Sequence, residues 1–181
     1  GDILVAKDDS THRKLGEMFS QHQVVKTYLA LVHGNVAKDN ITVNLPIGRD
    51  LVRRIRMTTR RAPGTEGVRA AVSHVKVLER IASPYGPFTL VEVRIETGRT
   101  HQIRVHMQSL GYPVVGDALY GAPHLIPGLD PRQNLQRNFL HAAHLAFTHP
   151  QTHKPIDIDA PLPDELVTFL EAIRTVSPIV R

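Results

Sequence analysis

The chain has 181 residues, 41% of them hydrophobic and 22% charged, with a net charge of +5 when histidine is neutral. This is a globular composition, long enough for one domain with a real core, and its positive charge favours an acidic partner, nucleic acid foremost. The absence of cysteine excludes disulfides, thiol catalysis and Cys-ligated zinc, and no apolar run approaches the ~18 residues of a membrane span. No signal-peptide pattern opens the chain, so a cytoplasmic setting is expected. With aromatics at 5% and no Trp, a platform of many stacking rings is not expected.

In chain order, Ile3 to Lys7 reads as a buried strand so close to Gly1 that preceding sequence is expected. Ser10 is placed to cap a helix whose apolar positions are Leu15, Met18 and Phe19. From Lys26 to Val32 the pattern alternates, with Thr27, Leu29 and Leu31 on one face and Tyr28, Ala30 and Val32 on the other. His33-Gly34-Asn35 is a turn, and Ile41, Val43 and Leu45 mark a strand stopped by Pro46 and Gly48. Arg49, Arg53, Arg54, Arg56, Arg60 and Arg61 form a basic run, followed by a loop at Pro63-Gly64 and Gly67. Two long strands, about 68–80 and 88–97, are joined by Ser83-Pro84-Tyr85-Gly86-Pro87. A helix after Arg99 ends at Gly111, and Pro113 to Asp117 reads as a strand and tight turn. Residues 121–134, rich in Pro, Gly and Asn, predict a surface loop. Strands near 143–148 and 155–158 follow, then a helix from Pro163 with Leu166, Phe169, Leu170 and Ile173 on one face. Strands in hairpin-like succession predict an α+β fold, with a mostly antiparallel (mixed) central β-sheet flanked by helices and loops.

The densest chemical signal is Glu96 to Met107. Gly98 ends a strand, Thr100 can cap a short helix, and Ile103, Met107 and Leu110 recur at helical spacing. Arg99, His101, Gln102 and Arg104 crowd the helix start, which suits an anion such as a phosphate or carboxylate. In the basic run the charges are all arginine, although lysine is the commoner guard of a strand edge. Arginine favours bidentate phosphate contact and stacking, so the run is read as contacting an RNA backbone.

Eleven histidines invite a metal reading. The pairs His101/His106, His141/His144 and His149/His153 lack HExxH-like spacing to a carboxylate, which argues against a catalytic metal. Neither a phosphate loop of the G-x-x-x-x-G-K type nor a G-x-S-x-G elbow is present.

Taken in order, these segments resemble the RluA-type family of RNA pseudouridine synthases, nearly end to end. Lys26-Thr27-Tyr28-Leu29-Ala30 is similar to its K-x-Y-x-A segment, and Leu45-Pro46-Ile47-Gly48-Arg49 to its P-I-x-R turn. Gly67 to His74 resembles its G-K-x-A-x-T strand, with Ser73 where Thr is usual. Thr97 to His106 matches T-G-R-T-H-Q-I-R-V-H throughout. Pro113 to Asp117 followed by Leu119-Tyr120-Gly121, and Leu140-His141-Ala142 followed by His149-Pro150, complete the series.

The resemblance implies that residues 1–181 are the C-terminal part of a catalytic domain. The family's aspartate sits in H-R-L-D, followed by T-S-G and a strand. Gly1 to Lys7 resembles that last glycine and strand, so the nucleophile is expected a few residues before Gly1, with Asp2 misplaced to serve. The small RNA-binding domain that often precedes the catalytic domain is likewise expected outside this chain. The family reaction detaches a uracil from ribose and rejoins it through C5, without metal or organic cofactor. Tyr28 and Arg104 are the implied catalytic residues, Tyr28 stacking on the flipped base and Arg104 pairing with the aspartate. Without that aspartate, Arg104 is expected to lack a partner and the chain to be inactive alone. Arg49, Arg53, Arg54, Arg56, Arg99, Thr100, His101 and Gln102 are the implied RNA contacts, and Ile103 and Leu140 the base-pocket walls, with plain core packing as the other reading of those two. The implied partner is RNA, ribosomal rather than transfer RNA, and a monomer is the default. A non-catalytic RNA-binding protein on the same fold and a histidine-metal hydrolase are the alternatives.

Overall fold

The computed structural model describes residues 1–50, 55–59 and 67–174. The first helix, α1, spans Asp9–Ser20 and buries Leu15. Its cap is Asp8, whose carboxylate accepts from the Thr11 N–H at 2.8 Å. Ser10, expected as the cap, already lies inside the helix; the carboxylate three residues before Thr11 reaches the orphan N–H that Ser10 cannot.

A six-stranded sheet follows in the order β2-β5-β6-β1-β7-β8. Its strands are β1 (Val25–His33), β2 (Asn40–Asn44), β5 (Val72–Ser83), β6 (Gly86–Ile95), β7 (Leu140–Thr148) and β8 (Pro155–Asp159). Two short strands, β3 (Gly48–Arg49) and β4 (Met57–Thr58), make a separate hairpin. Every pairing among the described strands is antiparallel, so the sheet is purely antiparallel where a mixed one was allowed for.

The alternation read in β1 sorts its residues into two cores. Ala30 and Val32, with Tyr28 at the margin, pack with Val91, Val93, Ile103 and Met107, where helix α2 (Gln102–Ser109) covers the sheet. Leu31 packs on the opposite side with Phe88, Leu166 and Phe169, beneath helix α3 (Asp164–Arg174). β1 lies between β6 and β7, so both its edges are hydrogen-bonded.

Two expectations change here. Ile3 to Lys7 forms no strand: Ile3 and Val5 are 86% and 74% exposed, while Leu4 and Ala6 pack beside Leu15 and Leu145. The alternation records a half-covered extended segment, held by a backbone bond from Asp2 N–H to Ala142 O at 3.1 Å. The predicted surface loop at 121–134 also contributes to the core through Ile126 and Leu129, each 5% exposed. Buried Asn134 holds this loop in place, accepting from Ile126 N–H at 2.7 Å.

Gly116 is required by its surroundings. Its φ is +78°, and a Cβ would lie 2.1 Å from the Arg137 carbonyl oxygen. The chain turns sharply there against residues 137–138, which places Asp117 at the site described next.

Candidate active site

The helix cap expected at Thr100 lies one residue later. The first residue of α2 is Gln102, and the flanking position is His101, in the left-handed region at φ +56° with no side-chain cap. A left-handed histidine is a strained backbone that its surroundings must hold. Tyr120 does so: its hydroxyl accepts from Met57 N–H at 2.8 Å and lies 2.9 Å from His101 Nδ1. While accepting from Met57, the hydroxyl still has its own proton to offer to Nδ1 of a neutral imidazole. Burial first, and Arg104 second, lower the His101 pKa and favour this neutral ring.

Arg104 does not stand without a partner. Its Nε and Nη2 donate to Asp117 Oδ2 and Oδ1, both at 2.7 Å. Asp117 is 1% exposed, and the guanidinium lies 4.9 Å from the Tyr120 ring centroid. The expectation of an unpaired cation is thus corrected: the signature arginine is fixed by an aspartate thirteen residues on. The hydrogen bond to Asp117 is the main cause that raises the Arg104 pKa. Neither bond uses Nη1.

Gln102 is a frame residue rather than a ligand donor. It is 3% exposed; its oxygen accepts from Thr97 Oγ1 and Arg99 N–H, and its nitrogen donates to Val72 O and Ser73 Oγ. One turn on, fully buried His106 donates from Nε2 to Leu45 O at 2.9 Å, with Nδ1 2.9 Å from Ser73 Oγ. Ser73 therefore sits between the two side chains, donating to the imidazole and accepting from the amide. The hydroxyl that this chain keeps where the family has Thr ties α2 to β5.

Tyr28 is half-buried, and burial raises its pKa. It shares a cluster with Ile103, 4% exposed, and half-buried Leu140. All three belong to one apolar cluster, Ile103 inside the core and Tyr28 and Leu140 packed against it. Opposite Tyr28, β7 carries an extra residue: Thr27 pairs with His144 and Tyr28 with Ala142, which leaves Ala143 as a bulge. Bulges beside a site re-aim neighbouring side chains. Tyr28 lines a cavity of about 220 Å³ that also touches Asp2, Lys26 and Ala142.

The basic residues fall in different places. Arg49, Arg99 and exposed Thr100 line a groove of about 560 Å³ together with Arg69. Arg56 turns inward: its guanidinium lies 5.3 Å from the Tyr120 ring centroid and its Nε 3.7 Å from Asp50. Arg53 and Arg54 lie outside the described residues. Of the histidine pairs, only His144 meets carboxylates, those of exposed Asp157 and Asp159. Arg69, Asp117, Ser73 and Tyr120 went without roles in the sequence reading. Gly116-Asp117 and Tyr120-Gly121 belonged to a quoted motif, yet nothing in their spacing reveals a contact with Arg104.

A family model described as RNA pseudouridylate synthase matches residues 1–109. An uncharacterized RNA pseudouridine synthase of Bacillus subtilis (strain 168) is 41% identical over 176 residues, covering 96% of this chain and 52% of the relative. The ribosomal large subunit pseudouridine synthase D of Nitrosomonas europaea is 38% identical, with 96% and 48% covered. The chain thus spans about half the length of the curated relatives it matches. Among solved structures, human RNA pseudouridylate synthase domain containing 1 superposes with a TM-score of 0.72 at 31% identity, over 88% of this chain and 63% of that one.

Two outcomes follow from this geometry. Asp117→Asn removes the charge that Arg104 faces and should destabilise the fold by roughly 2–3 kcal/mol, the upper range for hydrogen bonds to charged groups. Chemical denaturation of Asp117→Asn, Arg104→Met and the double variant checks this. A coupling energy near zero would refute the pair's structural role.

The second outcome concerns pH. Burial lowers the His106 pKa, so below about pH 6.5 the unfolded chain takes up a proton that the native state refuses. Stability should fall as pH drops from 7 to 5, by up to about 1.4 kcal/mol per pH unit from His106. Burial lowers His33 and His101 in the same sense, while half-buried His144, raised chiefly by its hydrogen bond to Asp159, opposes them. Thermal unfolding across that range measures the sum, and a His106→Gln variant should show a shallower decline.

Proposed function

The chain belongs to the RNA pseudouridylate synthase family, and we propose that it is the catalytic portion of an enzyme that converts uridine to pseudouridine in structured RNA. The observation that carries this reading is Tyr28 clustered with Ile103 and Leu140, with Arg104 the next residue along α2. An unstacked uracil needs a flat apolar wall, and Tyr28, Ile103 and Leu140 supply one. Flipping the nucleotide costs a few kcal/mol, offset by cationic contacts to the RNA backbone. Arg49, Arg69 and Arg99 are the described arginines in position to make them.

In the reaction as the family performs it, an ionised aspartate acts on the nucleotide, the glycosidic bond breaks, and C5 replaces N1 at the sugar. Arg104 is proposed to orient that carboxylate through Nη1, since Asp117 already engages Nε and Nη2. A guanidinium so placed keeps the nucleophile ionised. Tyr28 stacks on the base, and its hydroxyl assists removal of the C5 proton. Burial raises its pKa further above neutrality, so the hydroxyl meets the base as a protonated, hydrogen-bonding group. The H-R-L-D segment has no counterpart in residues 1–181, so the polypeptide of these residues alone is expected to be inactive.

Large-subunit ribosomal RNA is the proposed substrate, supported by the name of the Nitrosomonas europaea relative. A cytoplasmic monomer is proposed with it. Among the described residues, no helix is long and apolar enough to cross a membrane.

Tritium release from RNA transcribed with 5-tritiated uridine tests the activity. The 181-residue polypeptide should release none, and a version carrying the H-R-L-D and T-S-G segments ahead of Gly1 should release tritium from ribosomal RNA. Silence from the extended form on both ribosomal and transfer RNA would favour an RNA-binding protein on the same fold. In the active form, Arg104→Ala should lower turnover by roughly 100-fold or more, the scale of losing one charge-stabilising group. RNA affinity should change by no more than about tenfold, the scale of a single contact. Equal losses in both would remove Arg104 from the chemistry.

A further inference from the structure

We propose that Lys26 is an RNA-phosphate ligand: its ammonium holds the phosphodiester next to the uridine that stacks on Tyr28. This rests on the RNA reading above and assigns a residue that reading leaves idle.

Position is the first argument. Lys26 and Tyr28 are two residues apart on β1, hence on one face of the sheet. Both line the cavity of about 220 Å³ that opens beside Tyr28. Lys26 also lines a second cavity, of about 340 Å³, with Phe19, His22, Thr97 and Arg99. It thus stands in the wall between the Tyr28 cavity and the one Arg99 lines. Arg99 in turn lines the groove that holds Arg49 and Arg69. A strand of RNA with its base at Tyr28 and its backbone at Arg99 passes Lys26.

Charge is the second argument. The Lys26 side chain is half-buried, yet among the described residues it makes no ion pair or hydrogen bond. Among the described residues Nζ faces the ring of Phe19, 5.2 Å from its centroid. Asp2 lines the first cavity without reaching ion-pair distance of Nζ, and the residues around the second include no carboxylate. A partly desolvated cation with only an aromatic face against it is unfavourable unless an anion completes the shell. Burial lowers its pKa in keeping with this.

Approach is the third. A Cβ on Gly98 would come 3.3 Å from Nζ, so the ammonium rests against the segment that carries Arg99 into α2. Arg99 Nε is tied to Ala70 O at 3.1 Å, a bond that does not involve the two terminal nitrogens of its guanidinium. Two cations are therefore held at one bend of the chain. A phosphodiester, whose two non-bridging oxygens share one negative charge, can take one oxygen to the ammonium and the other to the guanidinium.

The test is the salt dependence of binding to a hairpin RNA with uridines in its loop. Wild type, Lys26→Gln, Lys26→Met, Lys26→Arg and a control, Lys154→Gln in the exposed β7–β8 turn, are compared. The two neutral variants should bind about tenfold more weakly, and their plot of log K against log salt should be shallower by about 0.7, one phosphate contact on a single strand. Lys26→Arg should keep the wild-type slope, and Lys154→Gln should match wild type. The melting temperature of the neutral variants should not fall, because a half-buried charge has been removed. Wild-type affinity and slope in both neutral variants, with RNA still bound, would overturn the Lys26 assignment and leave the RNA reading intact. A fall in melting temperature with an unchanged slope would make Lys26 a structural residue and overturn it equally. Failure of wild type to bind the RNA would overturn the RNA reading, and this inference with it.

Discussion

The pair of hydrogen bonds between Arg104 and Asp117 is the constraint around which the site is arranged. A buried carboxylate is tolerable only when its charge is met, and a bidentate guanidinium meets it along both oxygens. Pairing at 2.7 Å requires α2 and the turn at Gly116 to be fixed relative to each other. The turn needs a residue without a side chain, because the Arg137 carbonyl occupies the space of a Cβ. Tyr120, three residues on from Asp117, then lies against both Arg56 and Arg104, and its hydroxyl bonds Met57 of the β3–β4 hairpin. One ion pair thereby sets the relation of the helix, the turn and the basic hairpin.

Around that pair, the polar residues of the signature sort by helical angle. Gln102 and His106 are four apart and share the inward side of α2, where Ser73 joins them to β5. Ile103 and Met107 share the apolar side toward Val91 and Val93. Arg104 projects from a third side, toward Asp117. Arg99 and Thr100 precede the helix and remain at the groove. The stretch is dense in donors because one turn of helix carries a frame, a core contact and an ion-paired arginine at once.

Much of the sheet was legible in the sequence, for physical reasons. The continuous apolar run from Tyr28 to Val32 reports two buried faces, and β1 has them. The Ser83 to Pro87 segment forms the β5–β6 turn, and the apolar face of α3 is the one buried. What failed was long-range. The apolar run from Ile3 to Ala6 is the pattern of a buried strand, but strand identity depends on a neighbour's hydrogen bonds, and here the backbone bond is made by Asp2. Gln102 and His106 look like ligand donors until Ser73 arrives from 29 and 33 residues away in sequence. Asp117 was quoted within a motif without a role, because a side-chain pair across a turn leaves no periodic trace. The inference of a base pocket at Tyr28, Ile103 and Leu140 came from the resemblance, since periodicity alone assigns all three to the core.

The position of β1 has a consequence for how the chain must be made. The strand that carries Lys26 and Tyr28 pairs with residues near 90 on one edge and near 142 on the other. During synthesis its apolar stretch from Leu29 to Val32 leaves the ribosome well before either neighbour exists. Until β6 is made it has no hydrogen-bonded partner, and until β7 is made it is an open edge, the state most prone to pairing with a second chain. Pairings so distant in sequence also close slowly, since the intervening loop must be ordered before the contact rewards it. The most protected strand of the finished sheet is therefore its most exposed one while the protein is being born.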